Sequence, residues 1–318
     1  MNHNFPKIET PAARPKEEQR RPVDYILGSA KKRPDPLEFV DNSRPGYTEA
    51  EVRKDIEYVE RLKSKFAEGS GRAEALEIIT IEYGEEFQWF GKESGLDRTS
   101  LYDDYKGVDG IWYFKIKDFP FRIALAIDTS MRSKLSEKQR IENESRGAAK
   151  IKTIKDKIEN NIAKINNPQI STVKYYHSGD GKEVDQTLIV PVVIGLEGEN
   201  ADELIKLFGK IAELRQKEKT LGLDEPETSE LSRLKEEAKN HPAQVIFLKQ
   251  TLLQLSEYSE KLKNEKGFKS FYRDAVAGLE NMVSKVLKEK EHISTKPLEG
   301  DEVFRKIKET IKKEEKKD

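Results

Sequence analysis

Asp109 and Asp128 are the residues whose type and spacing best suit chemistry. Asp109 stands just before the run Ile111-Trp112-Tyr113-Phe114, and Asp128 just after the run from Phe121 to Ile127. Two carboxylates fixed on adjacent strands, with Glu82, Glu85 and Glu86 on a helix upstream, are hard oxygen ligands of the kind that hold a divalent metal. The same residues also suit plain structural roles. Asp109 lies in Lys106-Gly107-Val108-Asp109-Gly110, a turn-like context in which aspartate bonds its own backbone, and Asp128-Thr129-Ser130 can lead into the next helix.

The elements around them follow from periodicity. Residues 108–116 and 121–127 are β-branched and aromatic, and the polar break between them suits a hairpin. In the second strand Arg122, Ala124, Ala126 and Asp128 share one face, and the small alanines leave room above it. Thr48 and Glu51 form a capping box that opens a helix to about residue 67. A second helix runs over 73–90 with Leu76, Ile79, Tyr83, Phe87 and Phe90 on its buried side, and 91–100 reads as loop. A long basic helix spans 133–163, with Ile151, Ile154, Ile158, Ile162 and Ile165 as its stripe. Residues 172–177 make a third strand candidate, and 187–196 a more continuously apolar fourth, of the kind buried on both faces. Helices follow at about 200–218, 228–240, 241–265 and 267–289.

Crossover helices between strands predict an α/β (α+β) fold, a small mixed central sheet flanked by helices with an all-helical C-terminal part. The organisation expected is a disordered arm over 1–46, which holds seven of the 13 prolines, an α/β domain over 47–198, a helical region over 199–290 and a charged tail over 291–318. Within the arm, the patch Val23 to Leu27 can dock on the domain or on a partner.

A helix carrying glutamate, an aspartate at the head of one strand and an acid ending the next resembles the restriction-endonuclease-like, or PD-(D/E)XK, superfamily. The resemblance covers roughly residues 72–200. It implies a Mg²⁺ site made of Asp109, Asp128 and Glu82 or Glu85, in a protein that binds or cleaves nucleic acid phosphodiesters. The ion would polarise the phosphate and activate water, and a lysine would stabilise the developing charge. Ser130 stands where that lysine belongs, so Lys134, Lys138 or Lys150 on the following helix would have to supply it. Two strands precede the long helix, where that fold usually has three. DNA or RNA would meet the basic 134–157 helix. The alternative is a non-enzymatic interaction or scaffold protein with a degenerate nuclease-like domain, which would use the C-terminal helices to meet a protein partner.

Composition narrows the field. The 318 residues carry 58 basic and 59 acidic side chains, a net charge of −1, so no global field favours a polyanion, which argues against a general DNA coat. The absence of cysteine removes disulfides, thiolate zinc sites and cysteine nucleophiles. The histidines stand at 3, 177, 241 and 292, with no ligand spacing among them, and Gly179-Asp180-Gly181-Lys182 is too short for a phosphate-binding loop. The first residues lack an apolar core, and no apolar run approaches the roughly 20 residues that span a bilayer. A soluble cytoplasmic protein is expected.

Overall fold

The computed structural model describes residues 21–41, 47–65, 71–114, 122–132, 153–166, 173–176, 187–264 and 268–314. Among the described residues four strands form one mixed sheet in the order β1 (Ser94–Arg98), β2 (Gly110–Phe114), β3 (Arg122–Arg132) and β4 (Thr187–Glu197). The first three run antiparallel and β4 joins β3 in parallel. The class is α+β. The expected hairpin is β2–β3, but β3 continues past Asp128 to Arg132 because β4 pairs along all of it.

Two strand expectations are corrected. The segment read as loop contains β1, an edge strand of sequence SGLDR; with no β-branched residue it has no propensity signal, and pairing with β2 holds it extended. Among residues 172–177, the described positions 173–176 form no strand. The N–H groups of Lys174 and Tyr175 donate instead to the buried carboxylate of Asp103, at 2.8 and 3.0 Å.

The helices are α1 (Pro22–Ser29), α2 (Glu49–Lys65), α3 (Arg72–Ile78), α4 (Leu101–Tyr105), α5 (Ile154–Asn166), α6 (Gly198–Thr220), α7 (Glu225–Lys239), α8 (Ala243–Leu262), α9 (Phe268–Glu289) and α10 (Glu302–Glu314). A π-helical turn, Ile79–Tyr83, prolongs α3 and leads into a last turn, Gly84–Glu86. One sheet face, with Trp112, Phe114, Leu125, Ile127, Val190, Val192 and Ile194, buries the apolar sides of the helices in the main core. The alanine face is covered rather than open: Ala124 and Ala126 lie with Ile111, Ile189, Val173 and Tyr176. None of the described helices is long and apolar enough to cross a membrane.

The terminal segments differ from expectation. Within the arm read as disordered, α1 docks on α3 and α6 through Val23 and Ile26. In the tail read as charged and solvated, α10 buries Val303, Ile307 and Ile311. The α1 contact is the docking of the Val23–Leu27 patch on the domain, whereas in α10 a few apolar residues on one side are outnumbered by charges, so only their spacing marks them. Ile26 is fully buried, and Ile26→Ala is expected to cost about 2–4 kcal/mol of stability. Urea unfolding checks this; an unchanged midpoint would mean that α1 only rests on the surface.

The free edge of β4 is closed by side chains. Gln250 of α8 accepts from the N–H of Gly195 and donates to its carbonyl, both at 2.8 Å. Gln254 does the same at Val193, at 2.9 and 2.7 Å. Tyr258 donates to the carbonyl of Pro191 at 3.1 Å. Four residues of helix rise about 6.0 Å and two of strand about 6.7 Å, so residues at i, i+4 and i+8 meet alternate strand positions. Proline has no N–H to satisfy, so a hydroxyl suffices where a carboxamide is needed elsewhere.

Candidate metal centre

Asp109 immediately precedes β2. The β2–β3 register ends with Gly110 opposite Ile127, and from there the Asp128 charge on the neighbouring strand acts on Asp109. The Asp109 N–H donates to the Ile127 carbonyl at 2.8 Å, and Asp109 Oδ2 accepts from the Thr129 N–H at 2.5 Å. The backbone of β3 thus orients the first acid beside the second.

Two further acids reach Asp109 from separate elements. Glu77 comes from α3, which approaches β2 closely because Gly110 is glycine: a Cβ there would stand 2.5 Å from Ile81 Cδ1. Asp104 comes from α4, whose start is fixed by Ser100 accepting from the Asp103 N–H. Glu77, Asp104 and Asp109 each present an oxygen within 4.8 Å of the others. Burial pushes the Glu77 carboxyl up to about 7, with Asp104 adding to the rise and Arg33 and Arg98 opposing it. Burial, with the charges of Asp128, Asp104 and Glu77, holds Asp109 well above the usual carboxylate range. Acids crowded in this way favour a cation among them.

The lysine comes from α5, the crossover helix between β3 and β4. Thr153 and Asp156 cap its start reciprocally, with the Thr153 N–H donating to Asp156 Oδ2 at 2.8 Å and the Asp156 N–H to Thr153 Oγ1 at 3.2 Å. Ile154, Ile158, Ile162 and Ile165 anchor the helix in the core. Lys157 Nζ then lies 2.6 Å from Asp128 Oδ1 and 3.5 Å from Ser130 Oγ. Burial alone would lower the ammonium pKa, but Asp128 at this distance outweighs it and raises it. Lys157 is therefore a cation at neutral pH. Gly195 lets β4 close on β3 beside the site, since a Cβ there would stand 1.8 Å from the Ser130 carbonyl oxygen.

Other predicted residues are placed elsewhere. Glu82 accepts from the Lys31 N–H at 3.1 and 2.9 Å and from Arg98 at 3.3 Å. Glu85 accepts from the Leu96 N–H at 2.7 Å. The helical acid at Asp109 is Glu77, not these two. Lys134, Lys138, Lys150, His177 and Lys182 lie outside the described residues, as does most of the basic 134–157 helix. One signal for Glu77 was present: it is the single charge in Ala75-Leu76-Glu77-Ile78-Ile79-Thr80-Ile81, and a lone carboxylate in such a run must be paired or functional. Lys157 sits likewise beside Ile158 in the stripe of α5.

His241 serves the core instead. It stacks on Trp89, and its Nδ1 accepts from the Ala243 N–H at 3.2 Å. Burial lowers its pKa to about 4. The folded chain keeps it neutral while the unfolded chain protonates it near pH 6.5, so its contribution is lost as pH falls from about 6.5 to about 4. Wild type is expected to lose about 2 kcal/mol more than His241→Gln between about pH 7 and pH 5, read from urea midpoints.

No family model, no curated protein and no solved structure matches this chain.

Proposed function

We propose that this chain is a metal-dependent, nuclease-like protein that acts on phosphodiester bonds of DNA or RNA. The observation that carries the reading is the buried Asp109, held by the Thr129 N–H next to Asp128, with Lys157 on Asp128. The order helix, three antiparallel strands, helix, parallel strand supports it as well, since β1 supplies the third strand that the resemblance to the restriction-endonuclease-like superfamily requires. Lys157 supplies the cation that Ser130 cannot, from the helix following that strand.

Carboxylate donors suit a hard divalent ion, and Mg²⁺ is the natural choice. Asp109 and Asp128 would hold it, and when bound it would polarise the phosphoryl group and lower the pKa of an attacking water. The ammonium of Lys157, held by Asp128, stands ready to stabilise negative charge developing on the phosphate. Burial around Asp109 lowers the local dielectric and strengthens each of these interactions.

The alternative of a helical interaction surface draws less support. The apolar sides of α6, α8 and α9 face the sheet and one another as core. The test is a cleavage assay of the purified full chain on single- and double-stranded DNA and RNA. Cleavage is expected with Mg²⁺ or Mn²⁺, and chelation is expected to stop it reversibly. A chain inert on every substrate with either ion would overturn the reading.

A further inference from the structure

Arg33 sits inside the acid cluster rather than beside it. One of its nitrogens lies 2.6 Å from Glu77 Oε1 and 2.8 Å from Asp104 Oδ2, and another donates to the Thr99 carbonyl at 3.1 Å. The segment bearing it is fixed at both ends. Upstream, Val23 and Ile26 of α1 are buried in the main core; downstream, Phe39 is buried against Val52 and Tyr175. Between these anchors the Lys31 N–H is held by Glu82. The guanidinium is thus delivered by the fold, and its side chain is only 11% exposed.

The space it fills has the size of an ion site. Oxygens on opposite sides of a bound ion stand about 4.2 Å apart around Mg²⁺ and up to about 5 Å around Ca²⁺. The oxygens of Glu77, Asp104 and Asp109 lie within 4.8 Å of one another, and the Arg33 nitrogen is in hydrogen-bond contact with two of the three. Arg98 does not replace it: it reaches Glu77 at 3.0 Å, but its other ion pairs run to Glu74 and Glu82. Guanidinium, charged at every accessible pH and matched to carboxylates, makes a permanent counter-ion.

We infer that Arg33 is a built-in cation that excludes a second divalent ion from the Glu77–Asp104 side of the centre and makes it a one-ion site. The inference rests on reading Asp109 and Asp128 as the metal-binding pair. It also explains why the N-terminal segment is anchored so firmly, since α1 and the turn at Phe39 set the position of this one side chain.

Calorimetric titration of the full chain with Mn²⁺ alone tests it. Wild type is expected to take up one ion, lost in Asp128→Asn, and Arg33→Lys is expected to keep that number. Arg33→Gln is expected to take up two, the second lost on adding Glu77→Gln. Equal uptake by wild type and Arg33→Gln would overturn the inference, as would two ions in wild type. Should Arg33→Gln not fold, Asp104→Asn in the wild-type background decides. Mn²⁺ affinity within about twofold of wild type means that Arg33, not the metal, is the partner of Asp104. A loss of about tenfold or more means that the ion sits on Asp104 and overturns the inference. If wild type binds no Mn²⁺ while Arg33→Gln binds one that depends on Glu77, the Asp109–Asp128 reading fails and the blocking role of Arg33 stands.

Discussion

Asp109→Asn and Asp128→Asn are each expected to lower metal-dependent cleavage by about a thousandfold or more, and Lys157→Met by about a hundredfold to a thousandfold. The carboxamides keep shape and burial but withdraw the charge that would hold the cation. At about 1.4 kcal/mol per factor of ten, a thousandfold loss is about 4 kcal/mol, within what a single polarising ion supplies. Lys157→Met keeps the length of the side chain and removes only its charge. Its loss is expected in kcat with little change in KM, because the charge it answers develops in the transition state. Mn²⁺ binding should survive Lys157→Met and not Asp128→Asn, which separates the roles. Cleavage unchanged in Asp109→Asn would remove these residues from the mechanism. The activity assay must be paired with a check of folding, since Lys157 and Asp128 are partners in a partly buried ion pair and removing one leaves the other uncompensated.

The second large effect concerns stability and lies across the sheet. Gln250→Leu and Gln254→Leu are each expected to cost about 2–5 kcal/mol, because leucine is close in size but leaves one N–H and one carbonyl of β4 buried without partners, at about 1–3 kcal/mol each. Both glutamines are fully buried, so water cannot stand in. Tyr258→Phe removes the donor to the Pro191 carbonyl and the acceptor of the buried Asn161 side chain, and is expected to cost about 1–3 kcal/mol. Urea unfolding of the three variants checks these costs, and unchanged midpoints for both glutamine variants would count against the ladder. The double glutamine variant should do more than lose stability. β4 carries Gly195 against Ser130, so loosening its outer edge should also weaken Mn²⁺ binding at the neighbouring acids.

Much of the sheet was legible because it is local. β2 and β3 announce themselves by aromatic and β-branched runs, β4 by a continuous apolar run, and α2 by its capping box at Thr48 and Glu51. β1 was not legible, because SGLDR is extended only by virtue of Trp112 and its neighbours on β2. Residues 173–176 misled in the other direction: their composition favours a strand, but Asp103, about 70 positions earlier, takes their N–H groups. On α3 the π-helical turn at Ile79–Tyr83 breaks the regular period, so a stripe drawn at about 3.6 residues per turn does not carry across it.

The α+β class, the hairpin and the two aspartates near its strands are legible in local pattern, since an alternation of period two is a property of adjacent segments. What surrounds those two acids depends on how distant segments pack. Glu77, Asp104, Lys157 and Arg33 come from a helix, a single turn, a crossover helix and an N-terminal segment, and they meet because burying the sheet on both faces brings those elements together. A carboxylate's partner is chosen by distance in space and by the loss of water around it. Neither quantity is written in the spacing of residues along the chain.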